Sequence, residues 1–282
     1  MSPSQVPSTI DLTGQVSLIT GGGRGLGRGF AQALASAGSA VAVTARTASQ
    51  VHGTVNTIND AGGRAIGFSV DVTDQGSMKH IMRTIEGELG AVDILVNNAG
   101  IVSPTGRDWE IEPDDWWRAM EINVKGPYIC TRAILPGMID RGRGRIVNIT
   151  SSGAYSVHPY VTAYCATKAA LSHFTRCLAA AVKEFGISAF AYAPGFVRTS
   201  ITEYLADPTK MPEGSSARYQ GNFDAGRDDA MEDATAKLMF LVSGKADALT
   251  GRHISIHDPE EEMIRAIDTI LANNLYTLGL IK

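Results

Sequence analysis

Residues 16–20, 40–45, 65–70, 94–97, 145–149, 188–193 and 253–256 form short apolar runs. A run of that length ended by a turn signal predicts a buried strand. Between the runs, residues 26–37, 49–61, 75–89, 114–135, 163–184 and 234–242 are rich in helix-forming residues. Gly38 and the Gly62-Gly63 pair supply C-terminal stops. Strand and helix alternate along the chain. That order predicts an α/β fold with a doubly wound parallel sheet covered by helices on both faces. No linker-like change of composition interrupts residues 10–200, so one domain is expected, over residues 1–258. Residues 206–227 differ: they are rich in Pro, Gly, Ser and Asp, and a loop of that kind predicts a lid, spanning about residues 200–230. Residues 259–282 read as a tail, helical to about Asn273 and ending in apolar Leu275, Leu278, Leu280 and Ile281. Apolar surface of that kind is costly in water, so the tail is expected to pack on the domain, over its cleft, or on a neighbouring subunit.

Composition narrows the function. Hydrophobic residues make up 44% and the formal net charge is −4, which gives no electrostatic footprint for nucleic acid. The tightest basic group, Arg141, Arg143 and Arg145, is interrupted by glycines and reads as a solvated turn before a strand. Three cysteines, Cys130, Cys165 and Cys177, lack the count and spacing of a disulfide framework or a metal set. His253 and His257 have no partners at ligand spacing, so no metal is expected. No apolar run reaches the roughly 20 residues of a membrane span, and residues 1–9 lack the apolar core of a signal peptide. A cytoplasmic enzyme is expected.

Two patterns carry chemistry. Tyr164 and Lys168 are four positions apart, which places them on one face of a helix. An ammonium group beside a phenol favours the phenolate, so the Tyr164 pKa is expected to fall from its ordinary value of about 10. A phenol so tuned gives or takes a proton. Far upstream, Thr20-Gly21-Gly22-Gly23-Arg24-Gly25-Leu26-Gly27 lies between a predicted strand and a predicted helix. Glycines there let the backbone approach a pyrophosphate, and the helix N-terminus offers free N–H donors. An acidic residue at the end of the second strand would grip the ribose of NAD. This chain has Thr44-Ala45-Arg46 instead, and Arg46 with Arg24 suits a 2′-phosphate. NADP(H) is therefore favoured over NAD(H).

The ordered set of motifs resembles the short-chain dehydrogenase/reductase family over roughly residues 10–200. The matching pieces are the glycine loop, Asp71-Val72, Asn97-Asn98-Ala99-Gly100, Asn123, Ser151, Tyr164 with Lys168, and Pro194-Gly195 with Thr199. Ser151 and Tyr164 stand thirteen positions apart, as in the family. The resemblance implies a Rossmann-type sheet and hydride transfer between a nicotinamide and a carbonyl or secondary alcohol. It implies that Tyr164 is the general acid or base and that Ser151 hydrogen-bonds the substrate oxygen. Lys168 would hold the nicotinamide ribose, and Asn123 a relay water. Thr20, Gly21, Gly23, Arg24, Gly25, Leu26, Gly27, Arg46, Asp71, Val72, Asn97, Ala99, Gly100, Pro194, Gly195, Val197 and Thr199 would contact the cofactor, with Asp71 on the adenine edge. Asn98 is expected to be structural, and His158 to be a solvent-facing loop histidine. The family also implies a homodimer or homotetramer. The substrate is expected to be small and fairly apolar. A non-catalytic NADP(H)-binding sensor or scaffold on the same fold is the competing reading. The chain departs from the family after Thr250-Gly251, where Asp258-Pro259 and the tail replace the usual glycine-rich ending.

Overall fold

The computed structural model describes residues 10–279. Its seven strands are β1 (Val16–Thr20), β2 (Ala40–Ala45), β3 (Arg64–Ser69), β4 (Ile94–Asn97), β5 (Gly144–Ile149), β6 (Ile187–Ala193) and β7 (His253–Ser255). They form one sheet in the order β3-β2-β1-β4-β5-β6-β7, parallel throughout. The helices are α1 (Gly25–Ser36), α2 (Ala48–Asp60), α3 (Gln75–Glu88), α4 (Pro113–Met120), α5 (Gly126–Arg141), α6 (Thr162–Val182), α7 (Ser200–Ala206), α8 (Ala217–Asp224), α9 (Met231–Val242), α10 (Glu260–Arg265) and α11 (Ile267–Ala272).

Side chains alternate across a strand, so each strand feeds two cores. Leu18 faces a core shared with Met78 and Ile85 of α3, Met138 of α5 and Leu178 of α6. Ile19, its neighbour, faces Phe30 and Leu34 of α1, Val51 of α2 and Leu238 of α9. Each such fully buried side chain contributes about 1.5–3 kcal/mol. The register Leu18↔Leu95 and Ile19↔Val96 brings the ends of β1 and β4 level. The strand order reverses between those two strands, and an α/β sheet opens a crevice at that point.

Several local expectations are corrected. The single helix over residues 114–135 is two helices, α4 and α5, joined by a π-helical turn at Glu121–Lys125. The loop over residues 206–227 contains α8. Arg141, Arg143 and Arg145 do more than bound a turn. Arg141 donates to the Val92 carbonyl at 2.7 Å, Arg143 lies 3.3 Å from Asp93, and Arg145 makes a paired contact of 2.9 and 2.7 Å with Asp247. The tail packs on its own domain. Met263 and Ile270 join the core that holds Ile19. The nearly buried Lys237 anchors the entry to the tail through the Asp258 carbonyl at 2.6 Å and Glu260 at 3.2 Å. Tyr276 then accepts the His253 N–H at 2.7 Å. Leu280 and Ile281 lie outside the described residues.

Candidate active site

A cleft of about 920 Å³, counting its open mouth, lies where the strand order reverses. The loop after β1 contributes Gly21, Gly23, Arg24, Gly25, Leu26 and Gly27. Arg46 comes from the end of β2, Asp71 and Val72 from beyond β3, Ala99 and Gly100 from beyond β4, and Thr199 from the N-cap of α7. Gly21 has φ +64°, and a side-chain carbon there would lie 2.8 Å from Ala99 Cα. At Gly27 it would collide with the Gly21 carbonyl oxygen and the Asn98 amide. The loop therefore stays close to the chain beyond β4. The start of α1 has no side-chain cap, so its first N–H groups remain free for an anion. Arg24 and Arg46 are exposed and form no ion pair among the described residues. Free donors, a side-chain-free backbone and two unpaired guanidinium groups fit a phosphorylated dinucleotide.

Other expected contacts sit behind the cleft lining. The Thr20 hydroxyl accepts from the Asn98 and Ala99 N–H groups, each at 3.1 Å. Asn97 is buried and donates to Thr131 at 3.2 Å and Asn148 at 2.8 Å, which locks β4 to β5. Its side chain supports the sheet and is not among the groups lining the cleft. Asn98 donates to the carbonyls of Thr20 and Gly21, a structural part. Pro194, Gly195 and Val197 lie in the segment between β6 and Thr199. Gly195 at φ +82° abuts Asp229, and the Val197 carbonyl accepts from Thr202 at 2.8 Å.

Both Asp71 oxygens already have partners in the chain. Thr73 donates to one at 2.9 and 2.7 Å, and Arg118 reaches the other at 2.7 Å. Burial alone would raise its pKa, but the Thr73 hydrogen bonds and the Arg118 charge outweigh it and hold the carboxyl below the usual range. Arg118 escaped the sequence reading because nothing local signals a contact across 47 positions. Thr47 and Gln50, also in the lining, follow directly on Arg46 and were open to inference from that adjacency.

Asn123 and Lys168 meet beside Gly100, and Ser151 and Tyr164 beside Gly153. A side-chain carbon at Gly100 would lie 3.2 Å from Asn123 Oδ1 and 3.7 Å from Lys168 Nζ, so the missing side chain keeps the route from cleft to lysine open. Asn123 sits fully buried in the π turn, a feature common at functional sites. It accepts the Ile101 N–H at 2.9 Å, donates to the Ile101 carbonyl at 2.8 Å, and donates to Thr167 at 3.0 Å. Lys168 donates to the Ile149 carbonyl at 2.8 Å. Ser151 opens the short turn after β5 and accepts the Gly153 N–H at 3.1 Å. Gly153 is itself buried. A side-chain carbon there would meet Cys165 at 3.4 Å and both Ser151 and Tyr164 at 3.5 Å.

The acidities differ from expectation. Burial pushes the Tyr164 phenol up to about 12, against the pull of its hydrogen bond with Ser151. Burial brings the Lys168 ammonium down to about 8. The lysine nitrogen stands 5.4 Å from the centre of the Tyr164 ring and is engaged with a backbone carbonyl. Desolvation of both groups thus exceeds their mutual attraction, and the phenol is held protonated. His158 is also corrected: it is half-buried and meets the Tyr219 hydroxyl at 3.4 Å.

Residues 15–210 match the family model for short chain dehydrogenases. The chain belongs to the short-chain dehydrogenase family. A short chain dehydrogenase of Pseudocercospora fijiensis is 35% identical over 86% of this chain and 80% of its own. The 3-oxoacyl-(acyl-carrier-protein) reductase FabG of Haemophilus influenzae is 33% identical over 87% of this chain and 98% of its own. Among solved structures, a gluconate 5-dehydrogenase from Burkholderia cenocepacia, in complex with NADP and tartrate, superposes with a TM-score of 0.79. It is 31% identical and covers 88% of this chain and 95% of its own. This short-chain dehydrogenase is accordingly an oxidoreductase acting on CH–OH or C=O groups, on a single Rossmann-type domain. Among the described residues no helix is long and apolar enough to cross a membrane.

Proposed function

We propose that this enzyme transfers hydride between NADP(H) and a small, largely apolar ketone or its secondary alcohol, with Tyr164 as general acid in reduction and general base in oxidation. The observation that carries this reading is the meeting of Tyr164 with Ser151 and Lys168, the lysine lying beside Gly100 in the lining of a cleft that two unpaired arginines also line. NADP(H), when bound there, supplies or accepts the hydride. Tyr164, protonated, delivers its proton to the carbonyl oxygen as negative charge develops on it. Ser151 hydrogen-bonds the same oxygen. The Lys168 ammonium stabilises the phenolate left behind and holds ribose hydroxyls. A water held by Asn123, which is itself fixed through Ile101 and Thr167, relays the replacement proton from solvent toward Lys168.

The arginines support NADP(H): Arg24 and Arg46 are both exposed and line the cleft, and Arg46 stands at the end of β2, where an NAD enzyme would carry an acid. The complex of the Burkholderia relative with NADP is in keeping with that choice. The wall made by Val102, Val161, Leu205 and Met211, packed against Tyr164, supports an apolar substrate.

The test is oxidation of NADPH against a panel of ketones, with Tyr164→Phe beside the parent. The variant should lose about 100-fold or more in kcat, as expected for removal of a general acid, while its NADPH dissociation constant stays within a factor of about two. Undiminished turnover by the variant would remove Tyr164 from the reaction. A pure cofactor sensor would bind NADPH and turn over no ketone. Arg46→Ala should weaken NADPH by about 10-fold or more, the scale of one charge-assisted hydrogen bond, and leave NADH nearly unchanged. Equal losses for both cofactors would contradict the 2′-phosphate assignment.

A further inference from the structure

One pair of polar side chains beside Tyr164 has no part in the proton route above. His158 lies in the loop that leads into α6, where its carbonyl accepts the Val161 N–H at 3.2 Å. Tyr219 lies on α8, and its hydroxyl meets His158 Nδ1 at 3.4 Å. The pair therefore spans from the segment between Ser151 and Tyr164 to the lid. Both side chains are half-buried. The Tyr219 ring is stacked on Phe196 at 6.1 Å between centres, and Phe196 is held by its own N–H to Asp229 at 2.6 Å. Tyr219 and Tyr164 belong to one cluster, built on buried Val102, Val161, Leu205 and Met211. The two phenols are close enough that charge on Tyr219 disfavours charge on Tyr164.

Against this apolar wall, a phenol and an imidazole offer specific recognition. A phenol donates once and also accepts, and a neutral imidazole has one donor and one acceptor. Their mutual bond uses one role of each, so both keep capacity for a ligand. Burial, with nearby Arg218, lowers the His158 pKa and keeps the ring neutral at neutral pH. A neutral donor–acceptor pair suits a hydroxyl or a carbonyl rather than a carboxylate.

We propose that His158 and Tyr219 form a second polar subsite, on the lid side of the cleft, which binds an uncharged oxygen of the substrate distinct from the one that is reduced. The preferred substrate is then an otherwise apolar ketone, or the matching alcohol, carrying a second hydroxyl or carbonyl group. This rests on the reading of the cleft as a hydride-transfer site.

The test compares α-tetralone with its ring-hydroxylated analogues, using the full chain and NADPH. The parent should favour at least one hydroxylated ketone in kcat/KM by roughly 10-fold, the worth of one well-placed neutral hydrogen bond. In Tyr219→Phe, and separately in His158→Leu, that ratio should fall to near one, chiefly through KM. General damage to the site lowers both rates and leaves the ratio intact. An unchanged ratio, or no preference in the parent, overturns the subsite. Absence of turnover with every ketone would count against the hydride-transfer reading itself. Binding of the same ketones to the NADPH-loaded protein, read by nicotinamide fluorescence, then decides the subsite. A preference lost in Tyr219→Phe supports it, and equal affinities overturn it.

Discussion

Tyr164 and Lys168 show how burial sets the chemistry of a pair that spacing alone brings together. Burial holds the phenol up to about 12, so across ordinary pH it keeps its proton, the form that the proposed reduction would consume. Lys168, brought down to about 8, is the group that titrates within reach of assay conditions. The reductive rate should therefore be level up to about pH 7 and decline as pH rises through 8, read as a kcat profile; a profile flat to pH 10 would remove the lysine charge from the mechanism. The same shift bears on stability. Between about 8 and 10.5 the unfolded chain keeps a proton that the folded chain has lost, so this residue's contribution to stability rises with pH across that window. Below it, a buried charge is a cost. Lys168→Met should be inactive yet melt no lower than the parent at pH 7, and its advantage should shrink toward pH 10.5, as measured by thermal denaturation.

The glycine loop shows tolerance set by neighbouring backbone. Gly27→Ala would drive a methyl group into the Gly21 carbonyl and the Asn98 amide. Strain of this kind costs roughly 1–3 kcal/mol, and the loop must shift away from the chain beyond β4. The variant should show both a lower melting temperature and weaker NADPH binding; parent-like binding would mean that the loop does not form the phosphate cradle. These elements were legible in the sequence because they obey local rules. Strands β1 to β6 are apolar runs ended by turn residues, and a glycine cluster between strand and helix has few other uses. Gly126-Pro127 does signal the start of α5 within the stretch read as one helix, but the π turn at Asn123 carries no local signal, because the residues from Asp114 to Lys125 read as ordinary helix. Helix α8 was hidden by its weak helix formers, Gly221, Asn222 and Asp224, and packing of Phe223 rather than intrinsic preference holds it. The Tyr164 acidity was misjudged for a related reason. Spacing reveals a neighbour, but desolvation depends on distant residues such as Leu205 and Met211, which three-dimensional packing brings into the cluster beside Tyr164.

The tail completes the domain. Removal of residues 259–282 would uncover the core around Met263 and Ile270, each worth about 1.5–3 kcal/mol when buried. The shortened chain should melt well below the parent and bind a hydrophobic dye such as ANS; an unchanged melting curve would show that the tail adds nothing to the fold. The manner of its attachment also matters for association. β7 is the last strand on its side of the sheet, and successive N–H groups of a strand point to opposite sides. Those of His253 and Ser255, which point away from β6, are taken by the Tyr276 carbonyl and the Asp258 carboxylate. No donor is left along that border for a strand from another polypeptide. Ribbon-on-ribbon growth is thus sealed off on this flank, where any contact with another copy must use helices or loops, which closes one common route into aggregates there.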